Sequence, residues 1–244
     1  MAVGIGLRQA RTVDIAPAMK TAGFDWLFID MEHNSMDLDM AVQICVAARA
    51  CGISPIVRVP AFQHFHATRV LDGGAQGIVF PHVDDAETAA QLVDFCRYPP
   101  DGRRSITGTL PQIDFASIPI DQAAPAINDA TLLVFMLESP KAISNVDAIA
   151  AVTGVDALLI GTSDLTMEMG IPGQLEHPDV IAAYEAMLAA CKKHNKHPGM
   201  GGIYQPDLLQ KYIGMGVKLI LAGSDLSLLM SAGKARVADI RAAQ

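Results

Sequence analysis

The sequence predicts an α/β fold, a single (β/α)8 TIM barrel occupying residues 1–244. Three observations predict it. Eight short apolar runs alternate with helical patterns at a steady pace, and no second composition regime interrupts them. The chain's 244 residues are close to the length of about 250 that one such barrel uses.

A first strand is expected over Val3–Leu7, then a helix over Val13–Ala22 that Gly23 ends. Trp26–Asp30 is a continuous apolar run closed by an acid, as buried parallel strands read, and Leu38–Ala50 is the helix behind it, ending near Gly52. Strands three and four are Pro55–Val59 and Gly77–Pro81, with helices over Ala67–Leu71 and Ala86–Cys96; Asp84 ahead of Glu87 signals the start of the latter. Leu132–Glu138 is the fifth strand, and Ser139-Pro140 announces a helix that includes Ile143–Ala150. Ala157–Gly161 precedes a helix over Pro178–His194, Gly199–Ile203 precedes Pro206–Ile213, and Leu219–Gly223 precedes a last helix from Leu226 to Ala243. The connection Tyr98–Gln122 carries four prolines and two glycines. Its length suits an active-site cover or an excursion that contacts another subunit, and the residues favour neither.

Composition excludes some partners. A net charge of -8 with no basic run argues against nucleic acid or an anionic membrane surface. The apolar runs are too short and interrupted to span a bilayer, and no signal peptide opens the chain, so the cytoplasm is expected. Cys45, Cys51, Cys96 and Cys191 show no metal-ligand spacing and read as reduced core thiols.

The polar residues collect at strand ends, on the C-terminal face where barrel enzymes hold their catalytic groups. Strand two ends in Asp30-Met-Glu32-His33, strand three in Arg58, strand five in Glu138; strand six runs into Gly161-Thr-Ser163-Asp164 and strand eight into Gly223-Ser-Asp225. Glu138 and Asp164 would repel each other strongly unless a cation lay between them. As hard oxygen donors they suit Mg2+ or Mn2+, with Co2+ or Zn2+ as substitutes. Arg58 presents a planar fork for a carboxylate or an enolate oxygen, and His33 titrates near neutrality as a general base. Asp72, on the following helix, is the expected carboxylate partner of His33. The Gly161–Asp164 turn offers backbone N–H groups to an anionic substrate end. His64, His66 and His82 read as solvent or packing histidines.

At these residues the chain resembles the HpcH/HpaI-type class II pyruvate aldolases, such as 4-hydroxy-2-oxoheptanedioate and 2-dehydro-3-deoxyglucarate aldolases. The resemblance is carried by Phe24-Asp-Trp-Leu-Phe-Ile-Asp-Met-Glu-His33, Ile56-Val-Arg-Val59, Leu71-Asp-Gly-Gly-Ala-Gln-Gly77 and Arg97-Tyr-Pro-Pro100. It continues through Leu137-Glu-Ser139, Val155-Asp-Ala-Leu-Leu-Ile-Gly-Thr-Ser-Asp-Leu165 and Gly223-Ser-Asp-Leu-Ser-Leu-Leu229. It implies a metal-dependent lyase that reversibly cleaves 4-hydroxy-2-keto acids to pyruvate and an aldehyde. It also implies Glu138 and Asp164 as metal ligands, with Gly161, Ser163 and Asp164 against the pyruvate unit. Arg58 would stabilise the enolate, His33 handle the proton, Asp72 support His33 and Asp30 hold Arg58. The final helix would pack on a neighbouring subunit in a dimer-based homo-oligomer, commonly a hexamer; closing its own barrel is the competing role for that helix.

Three departures stand out. Met136 occupies a position where the family often has a substrate-contacting Gln, Arg103-Arg104-Ser105 replaces a common Arg-Gly, and the helix that usually precedes strand one is nearly absent. Rival readings are a CoA-thioester lyase of the malyl- or citramalyl-CoA type, an oxaloacetate-type decarboxylase and a non-catalytic metal- or keto-acid-binding subunit. A screen of free acids against thioesters, together with CO2 release from oxaloacetate, separates them.

Overall fold

A computed structural model describes residues 1–60 and 62–243; Ala61 and Gln244 lie outside the described residues. Eight strands follow one another around a closed parallel barrel: β1 (Ala2–Leu7), β2 (Trp26–Asp30), β3 (Ser54–Arg58), β4 (Gly77–Phe80), β5 (Leu132–Leu137), β6 (Ala157–Gly161), β7 (His197–Gly201) and β8 (Leu219–Ser224). Pairing of β1 with β8 shuts the ring. Helices α1 (Ile15–Thr21), α2 (Leu38–Cys51), α3 (His64–Asp72) and α4 (Ala86–Cys96) accompany the first half. The second half carries α5 (Ile120–Ala130), α6 (Pro140–Ser144), α7 (Val146–Ala151), α8 (Thr162–Glu168), α9 (Pro178–His194), α10 (Pro206–Met215) and α11 (Asp225–Ala242).

The period of two along each strand sorts its side chains into two cores. Leu27 and Ile29 of β2, Leu133 and Phe135 of β5, and Leu158 and Ile160 of β6 belong to the large core shared with the helices. Their alternates Trp26, Phe28, Ile56, Val134, Met136 and Leu159 form the smaller core inside the ring. Each fully buried aliphatic side chain contributes about 1.5–3 kcal/mol of hydrophobic stabilisation. The same parity then carries Asp30, Arg58 and Glu138 inward at the C-terminal ends. The floor is plugged by Trp26, whose indole occupies the space that a Cβ at Gly4 would need.

Several boundaries differ from the sequence reading. α3 begins at His64, three residues before the expected start, and β7 begins at His197 and ends at Gly201. The cap of α4 is Asp85 rather than Asp84: its carboxylate accepts the Thr88 N–H at 2.9 Å. Two helices were missed. α5 contains Pro125, which weakened its helical signal, and α8 starts directly at the end of β6, where a turn was expected.

The long connection after α4 packs on itself and on α5. Tyr98 and Leu110 join Ala123, Ala124 and Ile127 in a separate small core. Arg97, buried at its head, donates to the carbonyls of Asn128 and Thr131 and to Asp156, tying α4 to the starts of β5 and β6. None of this segment lines the central cleft, so a cover is not its role in this conformation.

Candidate active site

A cleft of about 420 Å3 opens at the C-terminal end of the barrel. Asp30, Arg58, Glu138, Gly161, Ser163, Asp164 and His33 all line it, so the structure brings together every expected site residue except Asp72.

On one side a cation stands between the acids. Asp30 is 2% exposed and Arg58 7%. Arg58 donates through Nε to Asp30 Oδ1 at 3.0 Å and through Nη2 to Oδ2 at 2.7 Å, and its Nη1 lies 2.8 Å from Glu32 Oε2. Backbone N–H groups of Glu32 and His33 also donate to Asp30 Oδ1. Burial pushes the Asp30 carboxyl up, but the Arg58 hydrogen bonds and charge, with those N–H groups, outweigh it and hold the pKa below its ordinary value. Of the five guanidinium N–H donors, two are given to Asp30; Glu32 Oε2 is close in charge but accepts no hydrogen bond, so three donors remain for an anionic guest.

The opposite side is unbalanced. Glu138 is 2% exposed, and its Oε2 accepts the His82 N–H at 2.8 Å, with His82 Nδ1 3.3 Å away. Among the described residues no hydrogen bond reaches Glu138 Oε1 or the Asp164 carboxylate. Burial, with the nearby Asp164 charge, pushes the Glu138 pKa up to about 7 against the lowering influence of His82 and Arg58. A Cβ at Gly161 would collide with the Glu138 carboxylate, which explains a glycine there. No three His, Cys, Asp or Glu side chains gather as a metal cluster among the described residues. The donor set therefore fits a hard cation that takes two carboxylates from protein and completes its shell with substrate and water, as Mg2+ does.

Within one chain Asp72 does not meet His33. It is the last residue of α3 and lies on the outer face, where it pairs with Arg104 at 2.6 Å instead of meeting His33. The Arg104 side chain is fully buried over the Tyr98 ring, and that packing draws Asp72 away from the rim within one chain. The carboxylate beside His33 is Glu32, 3.8 Å from Nε2.

Four contributors were missed or left without a role. Glu32 stands in the Asp30–His33 segment, His82 follows strand four, Arg8 follows strand one, and Tyr204 follows strand seven. A strand-end position was the available signal for each. His82 reaches Glu138 only because its backbone adopts φ 51°, a left-handed conformation that composition does not reveal. Asp225, noted only as a rim acid, accepts the backbone N–H groups of Arg8, Gln9 and Ala10 at 2.9, 3.0 and 2.7 Å.

Comparison with known proteins finds matches over most of the chain. The family model described as HpcH/HpaI aldolase/citrate lyase matches residues 8–232. The 4-hydroxy-4-methyl-2-oxoglutarate aldolase of Hapsidospora irregularis is 41% identical over 92% of this chain and 85% of its own length. The 5-keto-4-deoxy-D-glucarate aldolase of Klebsiella pneumoniae is 36% identical over 86% of this chain and 81% of its own. The crystal structure of an HpcH/HpaI aldolase from Desulfitobacterium hafniense superposes with a TM-score of 0.93 at 30% identity, covering 98% of this chain and 92% of that one.

Proposed function

The chain belongs to the HpcH/HpaI aldolase/citrate lyase family, and on that premise we propose that it is a divalent-metal-dependent aldolase releasing pyruvate from 4-hydroxy-2-keto acids. It is a carbon–carbon lyase acting on hydroxy keto acids. The observation that carries the metal-dependent reading is the pair of carboxylates, Glu138 and Asp164, lining one small cleft together with the Asp30-held Arg58, the Glu138 carboxyl being raised by burial and by Asp164.

In this reading Glu138 and Asp164 hold Mg2+ or Mn2+, with Co2+ or Zn2+ as substitutes, and the ion supplies Lewis-acid polarisation of the 2-keto acid. Arg58, fixed by its two hydrogen bonds to Asp30, turns its remaining N–H groups to the oxygen that becomes anionic when the enolate forms. Ser163 and the Gly161 backbone flank the pyruvate unit. His33, on the open rim with its side chain 49% exposed, takes the proton of the C4 hydroxyl. The C3–C4 bond then breaks, its electron pair enters the enolate, C4 becomes a carbonyl, and a proton returned to C3 completes pyruvate. Met136 gives the cleft an apolar wall with no side-chain hydrogen-bond donor. The test is pyruvate release from a panel of 4-hydroxy-2-keto acids after chelation and after metal is restored. Undiminished cleavage in the chelated protein would overturn metal dependence.

The same reading includes a homo-oligomer in the cytoplasm, built from dimers that assemble further into hexamers. In its support, α11 has no buried residue, and Leu228, Leu229, Met230, Val237 and Ile240 are all exposed along it. A capping box between Ser224 and Ser227 sets the helix off cleanly from β8, so it can stand away from its own barrel. Among the described residues no helix is long and apolar enough to cross a membrane, and the four cysteines are unpaired. Sedimentation giving a monomer at assay concentration would refute the assembly.

A further inference from the structure

Two arginines line the cleft, and their surroundings differ. Arg58 is enclosed by two carboxylates. Arg8, at the end of β1, has none within 4.0 Å of its guanidinium among the described residues; its only side-chain hydrogen bond runs from Nη2 to the His33 carbonyl, 3.2 Å away. Asp225 holds the backbone around it and not the guanidinium: its carboxylate accepts the N–H groups of Arg8, Gln9 and Ala10 and its own following N–H at Leu226. Asp225 thus pins the backbone of the loop and leaves the Arg8 charge free. Arg11, three residues on, is unlike it: its donors go to carbonyls of Ala10 and Arg8 and to the side chains of Asn34 and Ser35.

Resting on the aldolase reading above, we propose that Arg8 binds a carboxylate carried on C4 of the substrate, so that the favoured substrates are dianionic 4-hydroxy-2-keto diacids. The step is placed by His33. If His33 takes the C4 hydroxyl proton, the cation hydrogen-bonded to the His33 backbone stands at the C4 end and not at the pyruvate end. A planar guanidinium on a pinned loop suits a carboxylate there. Retro-aldol cleavage of such a diacid breaks C3–C4, leaves C4 as the keto or aldehyde carbon of a 2-oxo acid, and returns the proton at C3, so the products are pyruvate and a second 2-oxo acid.

The experiment compares 4-hydroxy-2-oxoglutarate with 4-hydroxy-2-oxopentanoate, which replaces the C4 carboxylate by a methyl group, at saturating Mn2+. In the unmodified protein the diacid should have the higher kcat/KM. In Arg8→Gln the ratio of the two kcat/KM values should fall about tenfold or more, chiefly through KM for the diacid, and Arg8→Lys should recover part of it. A structural role for Arg8 would lower both substrates alike, so an unchanged ratio in Arg8→Gln overturns the assignment, as does a preference of the unmodified protein for the monoacid. No pyruvate from either acid overturns the aldolase reading itself and this assignment with it.

Discussion

The two acid-bearing edges of the barrel rim differ in how their charge is balanced. At β2 and β3, Asp30 and Glu32 enclose Arg58, which is hydrogen-bonded to Asp30 through Nε and Nη2. At β5 and β6, Glu138 and Asp164 face the same cleft, where His82 and, more weakly, Arg58 offset the buried Glu138 charge. Both edges bury a carboxylate to 2% exposure, yet one carboxyl is held below its ordinary pKa and the other is pushed up to about 7. Burial alone therefore does not decide the outcome; the nearest opposite charge does. A matched edge is scaffold for one cation of fixed position, whereas an unmatched edge reserves its favourable energy for something that binds.

The largest expected effect separates activity from stability at the unmatched edge. Glu138→Gln keeps the shape and the acceptor for the His82 N–H but removes the charge. Metal affinity should fall by about a hundredfold or more and kcat/KM by roughly a thousandfold. The metal-free protein should nevertheless melt at the same temperature or higher, since a desolvated and repelled charge is gone. A titration showing unchanged metal binding would remove the contrast between the two edges.

At the matched edge the signs should agree. Arg58→Lys retains a charge but loses the fork that holds Asp30, so activity should drop about a hundredfold. Stability should fall as well, by roughly 1–3 kcal/mol, because Asp30 stays buried with poorer partners. Near-normal pyruvate enolisation and melting in this variant would show that the network is ornamental.

The smallest effect is the pH dependence of the metal-free protein. Between the ordinary Glu carboxyl value of 4.5 and about 7, the folded chain keeps a proton on Glu138 that the unfolded chain has released. Stability should therefore decline as pH rises through that window, by roughly 1–3 kcal/mol. Asp30 acts in the opposite sense: its contribution is complete above 3.8 and is lost only as pH falls through its still lower folded value. Thermal melts in chelator should show the decline from 4.5 to 7, and Glu138→Gln should abolish it. A flat profile in the unmodified protein would contradict the raised Glu138 carboxyl.

The sequence by itself determined the barrel and the end of it at which the charged strand-end residues gather. Eight apolar runs of parallel-strand length leave few other architectures, and the period of two along Trp26–Asp30 and Leu132–Glu138 sends the terminal acids to the same face as the inner core. Those are local properties, readable residue by residue. The tertiary structure alone decided the partners. Asp72 fell to Arg104 because a distant loop buries that guanidinium over Tyr98. Glu32 took the place beside His33, His82 reached Glu138 through a left-handed backbone, and Asp225 closed on the loop of Arg8, 217 residues away in the chain. Charge pairing depends on distances of a few ångströms between elements far apart in the chain, and no local periodicity carries that information.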